Sequence, residues 1–226
     1  MKKQRIPKAL CLAAIACCAA SAGAAGIVDA TGDLLPSYSG IHAGDLDVTS
    51  ASVTYDAGAD RFFFSGTFAA AVGTTPSAFY VWGVDRGLGT ERFNTGALPI
   101  GAGITFDSVV IFRQDGSATV NRFSGPATAL AGVVSFSGAT ISGSIDGSLL
   151  PSTGFAVADY TWNLWPRDAL VPAAAGNAAI SDFAPGASNA PVVAVPEPGT
   201  YALMGLGLGV LGWVARRRTR RPAPSR

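Results

Sequence analysis

Apolar and polar positions alternate along the middle of this chain with a period of two. Across Arg61–Phe68, Phe62, Phe64 and Phe68 fall on one side and Ser65 and Thr67 on the other, the pattern of a strand with one buried face. Over residues 78–84, Tyr80, Trp82 and Val84 share one face while Phe79 and Val81 share the other. Both faces are apolar, so this strand belongs in the centre of a sheet. Segments rich in Val, Ile, Phe, Tyr, Trp and Thr predict eight strands over 46–55, 61–69, 78–84, 104–113, 118–123, 133–137, 140–145 and 155–163, and no segment carries a convincing amphipathic helical period. Between them stand turn residues. Asp115-Gly116 predicts a type I′ hairpin, and residues 56–60 a longer hairpin loop. Ile180-Ser181-Asp182-Phe183 predicts a last edge strand, and 186–195, poor in order-forming residues, a flexible linker. The fold class this predicts is all-β: an antiparallel β-sandwich or jelly roll over residues 25–185.

The two ends break the pattern. Residues 1–24 join a basic start (Lys2, Lys3, Arg5, Lys8) to an apolar run over 9–20 and to Ala22-x-Ala24, which predicts a signal peptide removed on export. Residues 200–215 are uncharged and mostly apolar, and Arg216, Arg217, Arg218, Arg220 and Arg221 follow at once. Sixteen helical residues reach about 24 Å at roughly 1.5 Å each, marginal for a hydrocarbon layer of about 30 Å. A single transmembrane helix is the expectation, with the arginines holding the end of the chain on the cytoplasmic side. Just before it, Pro196-Glu197-Pro198 removes two amide donors and favours extended backbone, so this stretch can neither join a sheet nor prolong the helix.

In that order, Pro196-Glu197-Pro198, a glycine-rich apolar helix and an arginine cluster resemble the PEP-CTERM sorting domain over roughly the last 30 residues. The resemblance implies recognition by exosortase, a membrane processing enzyme, with Pro196, Glu197 and Pro198 as the recognised residues and 196–221 as the whole signal. It also implies a Gram-negative bacterium that makes exopolysaccharide or biofilm material. The protein would be anchored in the inner membrane during sorting and then sit at the cell surface or in the extracellular matrix. Segments such as residues 79–86 and 159–167 look like those of uncharacterised β-sandwich ectodomains fused to this anchor.

Charge sharpens that reading. Between Ala25 and Val195, six arginines and no lysine stand against thirteen aspartates and one glutamate, eight net negative charges. An acidic exported part argues against nucleic acid as a partner. All three cysteines, Cys11, Cys17 and Cys18, lie in the removable segment, so the mature chain holds no disulfide or thiolate site. With His42 as the only histidine, a zinc site lacks ligands. No Gly-x-Ser-x-Gly elbow, phosphate loop or dinucleotide fingerprint occurs, so the expectation is a protein that is not an enzyme and needs no cofactor. Aspartates are the chemical resource left. Asp29, Asp33, Asp45 and Asp47 could gather as oxygen ligands for calcium, with Asp45 and Asp47 first among them, although capping and turn formation explain most such residues. Of the aromatic residues Tyr80, Trp82, Tyr160, Trp162 and Trp165, the spacing favours packing for Trp82 and Trp162. Trp165, beside Pro166 at a strand end, is the expected exposed contact for a sugar ring.

Two readings of function follow. The first is a structural or adhesive envelope protein associated with exopolysaccharide. The second is a carbohydrate- or calcium-binding module delivered by the same route.

Overall fold

The computed structural model describes residues 26–95, 99–195 and 204–213. The expected signal peptide, Pro196-Glu197-Pro198 and the five arginines of the tail lie outside the described residues. Fourteen strands follow one another: β1 (Ile27–Val28), β2 (Val48–Asp56), β3 (Arg61–Phe68), β4 (Ala78–Asp85), β5 (Thr90–Glu91), β6 (Thr105–Phe106) and β7 (Ser108–Arg113). The remainder are β8 (Ala118–Asn121), β9 (Thr128–Leu130), β10 (Val134–Ser137), β11 (Thr140–Asp146), β12 (Thr161–Asp168), β13 (Ala190–Pro191) and β14 (Val193–Ala194). Two six-stranded sheets result. The first runs β1-β2-β3-β11-β10, with β14 added in parallel along β2, and the second runs β13-β12-β4-β7-β8-β9. A small β5-β6 ribbon stands apart. Hairpins keep β2 with β3, β7 with β8 and β9, and β10 with β11 inside single sheets. The arrangement is therefore sandwich-like and lacks the strand-by-strand exchange between sheets of a jelly roll.

The core lies between the sheets and follows from the alternation. Phe62, Phe64 and Phe68 of β3 face Tyr80 and Trp82 of β4 and Trp162 and Leu164 of β12. Phe64 meets Trp82 edge-on at 5.7 Å between ring centroids, and Phe68 lies 4.5 Å from Tyr80. Each such side chain stabilises the fold by about 1.5–3 kcal/mol relative to exposure. β4 is central, between β12 and β7, as its two apolar faces require.

A second apolar layer covers the outer face of the β4 sheet. Val81, Phe93, Ile104, Phe106, Val109, Trp165, Ile180 and Phe183 form it, drawn partly from the irregular segments that follow β4 and β12. Gly83 makes this layer possible. A Cβ there would stand 2.5 Å from the Trp165 ring, so only glycine lets the indole lie flat across β4.

Several expectations change. The strand expected over 155–163 is β12, which begins at Thr161 and runs through Pro166 to Asp168. Pro166 is tolerated because its carbonyl accepts from Ser181 N–H, so the side without a donor faces an irregular neighbour rather than the ladder with β4. Residues 180–184 pair with β12 through the isolated bridges Arg167↔Ile180 and Leu164↔Ala184 rather than as a continuous strand. The stretch expected over 104–113 divides at Asp107 into β6 and β7. At the Asp115-Gly116 hairpin, Gly116 takes φ +84° while Asp115 keeps negative φ. With Gly116 N–H donating to Arg113 O and Arg113 N–H to Ser117 O, this is a type I turn closed by a glycine bulge.

The flexible linker expected over 186–195 is part of the fold. β13 pairs with β12, β14 pairs with β2, and Val192 between them is buried. These residues form strands because both sheets offer open edges there. Beyond them, residues 204–213 form a helix about 15 Å long. Its large apolar side chains, Leu206, Leu208, Val210 and Leu211 among them, are exposed. No described helix is long and apolar enough to cross a membrane, and the other residues of the expected span 200–215 lie outside the described ones.

Candidate functional site

Where β2, β3, β11 and β10 lie side by side, their outward positions are almost all hydroxyls. Register aligns Ser52, Ser65, Ser142 and Ser135 in one row and Ser50, Thr67, Thr140 and Ser137 in the next. A third row holds Thr54, Phe63 and Ser144. With strands about 4.8 Å apart, each four-residue row spans about 14 Å. Cross-strand hydrogen bonds order the array: Thr67 Oγ1 lies 3.0 Å from Thr140 Oγ1, and Ser135 Oγ 3.3 Å from Ser142 Oγ. Phe63 is the aromatic residue on this face and is 42% exposed. Shallow grooves lie over it, one lined by Ser50, Ser52, Ser65 and Thr67 beside β1, another by Phe63, Ser135, Ser142 and Ser144. Neither groove is lined by a charged residue. At one end of the strands Arg61 pairs with Asp146 at 2.6 Å, and its Nη1 also donates to Ser144 Oγ at 3.2 Å. Such a face can exchange hydrogen bonds with neutral polar molecules, and Phe63 can stack against a ring.

The site residues singled out from sequence fare differently. Trp165 is not an exposed contact: it is 2% exposed, with Phe93 edge-on at 4.8 Å and Phe106 at 5.0 Å. The outward face of β12 is covered, and that covering comes from segments without periodicity. Tyr80, Trp82, Tyr160 and Trp162 are buried too. Asp45 is not a partner of Asp47. Its Oδ2 accepts Thr75 N–H at 2.6 Å and its Oδ1 accepts the Thr75 hydroxyl at 2.8 Å, which makes it a buried anchor for the loop between β3 and β4. His42 is exposed and stacks on Tyr38 at 5.6 Å.

Asp47 instead meets Asp33 and Asp182, with carboxylate oxygens of all three within 4.8 Å of one another. Asp47 Oδ2 accepts Gly32 N–H at 2.7 Å, while Asp182 accepts Val48 N–H at 2.9 Å and Phe183 N–H at 2.7 Å. Asp29 lies close enough for its charge to act on Asp182. Burial, with the charges of Asp29 and Asp33 added, pushes the Asp182 carboxyl up to about 7 against the pull of its two N–H donors. Burial and the neighbouring Asp33 and Asp47 push Asp29 up to about 6. Asp47 is raised by burial first and by Asp33 second, against the opposing Gly32 N–H. Asp182 carries no signal in the sequence, because 134 residues separate it from Val48 whose N–H it accepts.

The described part of the sandwich ends at Val195. Val195 N–H still donates to Tyr55 O at 2.9 Å, one residue before Pro196. No curated protein and no solved structure matches the chain. Residues 194–221 match the model of the PEP-CTERM protein-sorting motif, beginning inside β14. The chain therefore carries a PEP-CTERM sorting motif at its C-terminus, behind a region of two antiparallel sheets, and that motif implies an exported protein processed by exosortase.

Proposed function

We propose that this is a structural or adhesive protein of the cell surface or extracellular matrix, without a catalytic role, which holds neutral exopolysaccharide against the hydroxyl face of β2, β3, β11 and β10. Residues 1–24 direct export. Residues 200–215 hold the protein in the inner membrane during sorting, with Arg216 to Arg221 inside, until exosortase acts at Pro196-Glu197-Pro198. The observation that supports the adhesive part is the array of serine and threonine hydroxyls around Phe63, whose grooves no charged residue lines and whose one charged pair, Arg61 with Asp146, stands at its edge. A protein with this excess of aspartate would repel acidic polymers over most of its surface, whereas a charge-free patch suits a neutral one. Shallow grooves without carboxylates favour holding a chain over cleaving it.

The test is retention of the exported protein on purified neutral matrix polysaccharide. Wild type is expected to be retained at physiological salt and to stay bound when salt is raised, because the contact is uncharged. Loss at moderate salt, or equal retention after Ser65→Lys, would overturn this reading.

A further inference from the structure

Three stretches of chain far apart in sequence deliver carboxylates to one place. Asp33 comes from the segment after β1, Asp47 from the entry to β2, and Asp182 from the segment that bridges to β12. We propose that Asp33, Asp47 and Asp182 bind a calcium ion that fastens the N-terminal segment to both sheets.

Geometry comes first. Oxygens that share one calcium at about 2.3–2.6 Å lie no more than about 5 Å apart, and these oxygens lie within 4.8 Å of one another. The second observation is independent of the clustering. Asp47 is only 5% exposed, and its Oδ1 is buried without a hydrogen-bond donor among the described residues. A buried carboxylate oxygen without a donor loses its hydration and gains nothing in return, a cost that a cation ligand removes. The neighbouring charges that act on Asp47 and Asp182 are those of Asp29 and Asp33, and among the described residues no arginine pairs with either carboxylate.

The donor set selects the ion. It is all oxygen, with neither imidazole nor thiolate, which disfavours zinc. Calcium takes six to eight oxygens in flexible geometry, whereas magnesium demands a near-octahedral shell and releases water reluctantly. Asp182 is held rigid by two backbone N–H groups, and Asp33 is exposed, leaving its side open for water ligands. A site of this kind belongs with extracellular modules of Kd about 10⁻⁴–10⁻³ M. It would give a mature chain without cysteine a cross-link between its first residues and its last strands. The inference stands on this cluster alone and does not depend on what the hydroxyl face binds.

The experiment uses the full chain in detergent, stripped with EDTA and dialysed, then followed by tryptophan fluorescence on heating and by titration calorimetry with CaCl2 and MgCl2. Calcium is expected to bind with a measurable heat and to raise Tm by about 5–10 °C at roughly a hundredfold excess over Kd. Asp33→Asn, at an exposed position, is expected to leave Tm in EDTA unchanged or higher and to lose the calcium response. No heat and no shift in wild type would overturn the proposal, since carboxyls that only share protons give that flat result. So would a full response in Asp33→Asn, or an equal shift with magnesium at equal concentration, which is the mark of diffuse screening.

Discussion

Asp107 accepts the Nε–H of Arg86 at 2.8 Å with both side chains inside the protein, 9% and 2% exposed. The pair connects three loops: Arg86 Nη1 also donates to Pro151 O, and Asp107 Oδ2 accepts from Leu88 N–H and from the Thr153 hydroxyl. Asp85, adjacent to Arg86 in the chain, accepts instead from the N–H groups of Gly87 and Gly89 and from the Thr105 hydroxyl. Removing one member strands a buried charge. Asp107→Ala is expected to cost about 3–5 kcal/mol in urea unfolding, and Arg86→Met with Asp107→Leu less than Asp107→Ala alone. Equal losses in the two would show that the carboxylate matters for its hydrogen bonds to the loops rather than for the charge of Arg86.

The acid cluster sets a pH dependence in the absence of divalent ions. Burial first, and then neighbouring carboxylates, raise Asp182 from 3.8 to about 7 and Asp29 from 3.8 to about 6: the charges of Asp29 and Asp33 act on Asp182, and those of Asp33 and Asp47 on Asp29. Between pH 4 and 7 the unfolded chain has released these protons while the folded one still holds them, so stability falls as pH rises through that window. Above about 7 both states are ionised and the contribution levels off. Tm measured in EDTA should therefore be higher near pH 4.5 than near pH 7.5. In Asp182→Asn the decline should become shallower, and an unchanged slope would remove Asp182 from the cause.

Trp165 tests whether the outer layer is structural. It packs against Phe93, Phe106 and Phe183, so Trp165→Ala should destabilise by about 3–5 kcal/mol. Gly83→Ala should also destabilise, because its new methyl meets the indole. If Trp165→Ala left stability intact but abolished polysaccharide retention, the layer would be a binding surface after all.

These cases show where the sequence was legible. Alternation located β3 and β4 and their inward rings, because a half-buried or doubly buried strand writes its environment in every second residue. It says nothing of what lies above Trp165, which reads only as a strand end beside Pro166 and which the structure carries on β12. The cover is made by Phe93, Ile104 and Phe183, which stand in irregular segments whose approach is a tertiary event. Asp47 was legible as a carboxylate and Asp182 as part of an edge segment, yet their meeting depends on the crossing of chain between sheets. β14 was read as linker because a two-residue strand has no period. Its order comes from the open edge of β2, with Val193 opposite Thr54 and Ala194 opposite Tyr55.

The hydroxyl face separates adhesion from folding. Ser65 and Ser142 lie side by side at the centre of the array and are half-buried at most, so Ser65→Lys or Ser142→Lys places charge outside the core. Surface changes of this kind shift stability by about 0.5 kcal/mol or less, whereas retention on neutral polysaccharide should drop at least tenfold. A parallel loss of Tm would mean that the substitution disturbs the sheet, and the conservative Ser142→Thr should then bind as wild type does.

The sorting tail begins where the sandwich ends, and that junction allows its role to be isolated. Val195 N–H donates to Tyr55 O, the last hydrogen bond of the sandwich among the described residues, and Pro196 follows directly in the sequence. Replacing Pro196, Glu197 and Pro198 by alanine changes no residue of the described strands, and Tm is expected to stay at the wild-type value. Mass spectrometry of the surface form should nevertheless show loss of the segment beyond the motif in wild type only when exosortase is present, and retention of that segment in the triple variant. Val195→Pro does the reverse: it deletes the donor to Tyr55, for about 1 kcal/mol, while leaving Pro196-Glu197-Pro198 intact. It should therefore lower stability slightly and still be processed. Processing of the triple variant at the wild-type level would mean that the apolar helix and arginines suffice, and an unprocessed Val195→Pro would mean that the enzyme reads the edge of β2 as part of its substrate.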